Sequence, residues 1–364
     1  MRQVKSQNYH NAKAEELYVG FLDTNVYEAM RTAEIITIEP IRQVADSFCL
    51  NMQSLAFMVA IPYTFLLMKQ MEFAHVVLLI KAKLKSTKPF ASMEELSHEE
   101  RRSLYGQMTE IAAQKPEDED DKRKKQSAID NEFRSLLTSS EEIRSGYRSL
   151  LYSGLVWVWS TFEVFCSDLW EISVNESPHV LGKEAITGLS RMDKLGEIEG
   201  LTAKYIKLDY LAKYGYDLTH SMGTILKPKF DFTSMSSIRQ AYHSAFPKNQ
   251  TISRVLANNA LFFLEMKRHL IVHRAGLVDE TFVSKTGVDI PVGVMLPVSD
   301  KEVLEYGNTV INVGFSLVDS VQGYLDEPIR AILMRRLTRA LRFTTQTAEA
   351  EGGNRTEKGI FHGL

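Results

Sequence analysis

Cysteine is nearly absent: the 364 residues hold two, Cys49 and Cys166, both inside apolar segments. That excludes a disulfide framework and a cysteine-rich zinc site, and points to buried free thiols. Strand-forming patterns are scarce, and 10 prolines and 20 glycines are thinly spread, which leaves helices as the main element. Gly-rich phosphate loops, GxSxG elbows and Walker motifs are missing. An excess of charge is missing too. With 43 basic and 46 acidic residues the net charge is −3, so any nucleic-acid contact has to come from a local basic patch. No apolar run follows Met1 to Ser6, so a secretory signal is not expected.

What is there is ordinary globular material. Apolar residues make up 44% and charged residues 24%, enough to bury a core in two domains, or in one domain with a helical extension. The longest apolar run, Ser54 to Met68, falls short of the roughly 20 residues a spanning helix needs. Pro62 interrupts it, and Lys69, Glu72 and His75 close it off. It reads as a buried core helix of a cytoplasmic protein without a membrane partner, the alternative being a membrane-associated hairpin with Val76 to Ile80.

The periodicity predicts helices over 11–35 and 41–86 with a break at Pro40, and another over 92–113 opened by a Ser92/Glu95 capping box. Residues 1–115 form an N-terminal helical region on this pattern. At Lys115 to Lys125 a block of acid is followed by a block of base beside Pro116, which marks 116–139 as a charged linker or an extended helix start. A long helix over 140–174 carries Ile143, Tyr147, Leu151, Leu155, Trp159, Phe162 and Leu169 on one broad stripe, with Trp157 expected in the core as well. Residues 183–245 are mixed helix and loop. A second strong helix over 251–273 stops near Gly276, 288–298 is a short extended stretch, and helices follow over 299–324 and 328–343. The expected fold is all-α: an up-and-down bundle over 140–326, a basic helix over 327–345 and a flexible tail over 346–364.

The residues that can carry chemistry end the second strong helix: Glu265, Lys267, Arg268, His269, His273 and Arg274. Helical spacing stacks His269 and His273 on one face, with Glu265 one turn below. Arg268 lies about 100° from His269 and about 140° from His273 on a regular helix. The two therefore converge only if the helix ends there or a second copy faces it. An imidazole can take the proton of a ribose 2′-hydroxyl and return one to the leaving oxygen. A guanidinium can hold the phosphate and stabilise its extra charge. Neither a metal nor a cofactor is required. The same histidines have zinc-ligand spacing, but an HExxH motif needs Glu where Leu270 stands, and no third ligand is evident.

Arg268-His269-Leu270-Ile271-Val272-His273, with an apolar helix before it and the aromatic run Ser160 to Phe165 upstream, resembles the RNase members of the HEPN superfamily. Those members carry Arg, four to six residues, then His. The resemblance covers about 140–325 and implies a helical bundle that dimerises so that two motif helices form one metal-independent site. By matching position, Arg268 would bind phosphate and His273 would be the catalytic histidine. His269 would be a second acid/base or a substrate hydrogen-bonding group, and Glu265 and Glu163 would be candidates to orient Arg268. It further implies an RNA substrate, a homodimer, an antitoxin or regulatory partner, and a toxin or abortive-infection role in a prokaryote. Context separates this pair from Arg355 and His362, which also fit the spacing but sit in a Gly-rich tail. Arg274 and, on the basic last helix, Arg335, Arg336 and Arg339 are candidate RNA-binding residues, the alternative for that helix being a solvated face. A non-catalytic dimerisation or nucleotide-sensing module is the competing expectation.

Overall fold

A computed structural model describes residues 32–85, 95–113, 119–191 and 208–352, with the side chains of 82–85, 112–113, 119, 122, 191 and 327–352 outside the description. Most of the helix expected over 11–35 lies outside the described residues, as does 353–364 of the tail expected over 346–364; residues 346–352 end a helix and are not a tail. The fold is all-α: twelve α-helices are described, and the only β pairing among the described residues is a single antiparallel bridge, Leu277 with Met295. The helices are α1 (Glu39–Lys85), α2 (His98–Ala113), α3 (Glu119–Ser139), α4 (Glu141–Glu176), α5 (Lys183–Arg191) and α6 (Leu208–Ala212). They continue with α7 (Met222–Leu226), α8 (Met235–Ala245), α9 (Gln250–Val255), α10 (Asn259–Arg274), α11 (Glu280–Thr286) and α12 (Asp300–Gly352).

The chain divides into two compact units. The first takes Cys49–Thr161 and Asn259–Ile311; the second takes 32–48, 162–258 and 312–352. α1, α4 and α12 contribute to both. The division therefore differs from the sequence-based boundaries at 115 and 140.

In the first unit, α1, α4 and α12 approach closely at small residues. A methyl on Gly154 of α4 would meet Val303 of α12 at 3.0 Å and Val59 of α1 at 3.6 Å. Of the two alternatives for 116–139, a charged linker or an extended helix start, α3 is a helix. Its charged start gives way to Ile129, Phe133 and Leu137, all buried, and Phe133 meets Tyr147 edge to face at 4.9 Å. α4 begins as predicted, Ser140 accepting from the Ile143 N–H, which satisfies one of the helix's orphan donors. The capping box of α2 sits five residues later than expected. It is Ser97 with Glu100, each side chain accepting from the other's backbone N–H; Ser92 lies outside the described residues.

α1 departs most from expectation. Pro40 stands in its first turn, where the N–H it lacks has no partner anyway, rather than at a break. The helix runs unbroken through Pro62 to Lys85, so no hairpin forms at Val76 to Ile80. Nor is it simply a core helix, since one side is exposed. By length and composition α1 and α4 are each apolar enough to cross a membrane.

The second unit is organised on the later half of α4. Trp170 is fully buried against Phe230 and donates its Nε1–H to the Ala241 carbonyl of α8 at 3.0 Å. From α8, Tyr242 donates to the Cys166 carbonyl at 2.9 Å. Burial pushes the Tyr242 and Cys166 ionisations well above their usual ranges, consistent with inert core groups. α7 comes close to α4 at Gly223, where a methyl would meet the Glu171 carbonyl at 2.0 Å.

Candidate active site

α10 belongs to the first unit and starts later than predicted. Residues 251–273 are not one helix: α9 ends at Val255 and α10 begins at Asn259. Asn258 and Asn259 favour caps and turns over helix interiors, and the Leu256 carbonyl freed by the break accepts from Arg239 Nε at 2.8 Å. Leu261, Leu264 and Leu270 anchor α10 by burial.

The C-terminal end is held by a compact turn. Ala275 and Gly276 both adopt left-handed backbone, φ 53° and 81°, and the Gly276 N–H bonds back to the Leu270 carbonyl at 3.2 Å. The bond spans one residue more than the six-to-one bond of a Schellman ending, because two successive residues are left-handed, with Ala275 in the position usually given to glycine. Gly276 is needed for another reason: a Cβ there would lie 2.3 Å from the Tyr152 ring. Tyr152 of α4 packs on this turn and donates to the Leu296 carbonyl at 2.6 Å; burial pushes its ionisation up to about 12. The stretch expected to be extended comes in here. Leu296 N bonds to Gly276 O, and Val278 N to Val294 O, at 2.8 and 2.9 Å. It pairs with the turn through isolated bonds rather than as a strand.

On this framework the structure brings His269 and His273 together. Their rings lie 4.5 Å apart, tilted by 48°, and both side chains are exposed. Neither has a hydrogen-bond or ion-pair partner among the described residues. Arg268 lies on the neighbouring, inward side, one and two turns from Leu264 and Leu261, and is half-buried. Its Nε is buried without a hydrogen-bond partner. The adjacent Lys267 is treated differently: it is 12% exposed and pairs with Glu302 of α12.

α10 stays helical through Arg274, so Arg268 and His273 remain about 140° apart within one chain. The ending of the helix does not bring them together. Arg268 has no hydrogen bond or ion pair among the described residues, so no contact supports the orienting role expected of Glu265 on the same helix; Glu163 lies on α4 in the second unit. Arg274 is exposed and lies 3.7 Å from Asp279, whose side chain caps α11 by accepting from the Phe282 N–H. Arg335, Arg336 and Arg339 lie on α12 in the part whose side chains are outside the described residues. Among the described residues no group of three His, Cys, Asp or Glu could hold a metal ion.

Two features were missed from sequence. The Tyr152 lock on the turn joins residues far apart in the chain, and no local pattern announces it. Trp157, expected in the core, is 37% exposed. Compared with known proteins, the chain matches no family model, no curated protein and no solved structure.

Proposed function

We propose that the chain is a metal-independent endoribonuclease of the HEPN type, working in the cytoplasm, with Arg268 and His273 as its central residues. The observation that carries this reading is the polar set at the end of α10. Two exposed imidazoles stand 4.5 Å apart beside a guanidinium whose Nε is buried and unpartnered. Groups left without protein partners are the ones a substrate phosphate can engage.

In the proposed reaction the ribose 2′-hydroxyl attacks phosphorus. The 2′-oxygen–phosphorus bond forms, the phosphorus–O5′ bond breaks, and a 2′,3′-cyclic phosphate and a 5′-hydroxyl result. One imidazole takes the 2′-proton and a protonated imidazole delivers one to O5′. Arg268 binds the non-bridging oxygens as their charge grows. Because Arg268 and His273 diverge on one helix, the working pair is assembled from two copies of α10 facing each other, a homodimer. A toxin or abortive-infection effector, restrained by an antitoxin or regulatory protein, is the biological setting this reading carries.

Purified full-length protein is expected to cut RNA in excess chelator and to leave cyclic phosphate ends. His273→Ala is expected to lower the rate on the order of 10²- to 10⁴-fold. Cleavage that survives the substitution, or depends on added metal, would remove the reading. A non-catalytic dimerisation module is the second reading, and the exposed apolar side of α1 favours it.

A further inference from the structure

α1 is apolar on two opposite sides, and only one is covered. Met52, Leu55, Val59, Tyr63 and Leu66 are buried along one line. Opposite them run Leu50, Phe57, Ile61, Phe65, Met68 and Met71, each between 46% and 68% exposed. At about 100° per residue, 50, 57, 61 and 68 fall within about 20° of a single line, with 65 and 71 about 60° to either side. All six lie in the first unit.

Such a stripe is large for a lone chain. Its six side chains leave roughly 700 Å² in water, taking the size of aromatic and long aliphatic groups. The largest apolar patch on a monomer is usually about 300–600 Å², and each partner of a standard complex covers about 800 Å². The stripe is therefore about the size of one half of a dimer interface.

Charge argues for protein rather than lipid as the cover. Between Asp46 and Lys81 the only charged residues are Lys69 and Glu72. The basic end of α1, Lys81, Lys83 and Lys85, begins ten residues past Met71, about 15 Å along the axis. The stripe itself is therefore not lined by a row of basic residues that would hold anionic headgroups over it. Its other side is committed to the protein core, so lipid could not surround it. Ser54 and Thr64 also lie within the stripe's face, polar groups that a protein partner accommodates more readily than acyl chains do.

We propose that this face is an interface between two copies of the chain, with α1 packed antiparallel against itself about a two-fold axis near Ile61. Phe57 and Phe65 lie four residues either side of Ile61, so the axis brings Phe57 of each copy onto Phe65 of the other, the self-complementary contact a two-fold requires. The interface lies outside the region that resembles HEPN domains and does not rest on the nuclease reading. RNA cleavage and assembly mass are read separately, and either idea can fail alone.

The test uses the full chain. Light scattering after size exclusion is expected to give wild type an even multiple of 41.4 kDa. Phe57→Glu combined with Phe65→Glu is expected to halve that mass while the helical circular-dichroism signal stays unchanged, because both positions are exposed in one chain. Three results would overturn the proposal. One is a wild-type mass of a single chain at the highest workable concentration. Another is a double variant with unchanged mass. The third is wild type that floats with phosphatidylcholine/phosphatidylglycerol vesicles and a double variant that does not, which would make lipid the occupant.

Discussion

Trp170 and Tyr242 in the second unit bury their polar atoms completely, and each finds a backbone carbonyl, on Ala241 and Cys166. At the end of α10 in the first unit, Arg268 Nε is buried with no hydrogen-bond partner, and the rings of His269 and His273 lie 4.5 Å apart with no hydrogen-bond or ion-pair partner among the described residues. An unmade hydrogen bond at a buried donor costs about 1–3 kcal/mol, so a fold does not leave one idle without some return elsewhere. The two regions separate polar groups that hold the protein together from polar groups left without partners. The first kind stabilises; the second is where the proposed substrate would bind.

The sharpest way to break this contrast is to truncate one residue from each region. Trp170→Ala removes a fully buried indole and leaves the Ala241 carbonyl without its donor. It is expected to cost about 3–5 kcal/mol, read as a lowered urea midpoint. His273→Ala, measured the same way, is expected to stay within about 0.5 kcal/mol of wild type, because the side chain is exposed and unpartnered. Comparable losses from both would mean that the end of α10 is structural after all.

A smaller effect tests the turn that ends α10. At Gly276 an added Cβ would meet the Tyr152 ring at 2.3 Å, on backbone with φ 81°. Tyr152 cannot simply swing away without giving up its bond to the Leu296 carbonyl. Gly276→Ala is expected to cost about 1–3 kcal/mol from strain and overpacking together, measured by thermal unfolding. A neutral result would show that the turn tolerates rearrangement and does not fix the position of the histidines.

Local physics explains which parts of this arrangement could be read from the chain. Ser140 predicts the start of α4, and the i, i+4 spacing of His269 and His273 predicts their stacking, because both follow from helix geometry alone. The break at 256–258 was obscured because apolar periodicity continues across it while two asparagines end one helix and start the next. On α1 a run apolar all round looks like a core helix. Whether its second side is covered depends on partners that sequence does not contain. The 299–324 and 328–343 helices form one helix, α12, running through Pro328: a proline removes a single ladder bond, which a long helix can survive. For the site, residue types and helix were legible, but whether Arg268 would find a partner inside the protein depended on contacts across the fold.

The smallest expected effect is also the one with an unusual sign. Lys267 and Arg268 are neighbours on α10, yet Lys267 pairs with Glu302 and Arg268 pairs with nothing among the described residues. Replacing each with methionine keeps most of the apolar stem and removes the charge. Lys267→Met strands Glu302 in a half-buried position and is expected to lower stability by about 1–2 kcal/mol. Arg268→Met removes a buried donor that has no acceptor among the described residues, so it is expected to leave stability unchanged or raise it by about 1 kcal/mol while the proposed RNA cleavage is lost. That is the trade between stability and activity expected where an unsatisfied group is kept for the proposed function. If Arg268→Met instead destabilises the protein as Lys267→Met does, Arg268 belongs with the structural groups, and the phosphate-binding role passes to another residue or falls altogether.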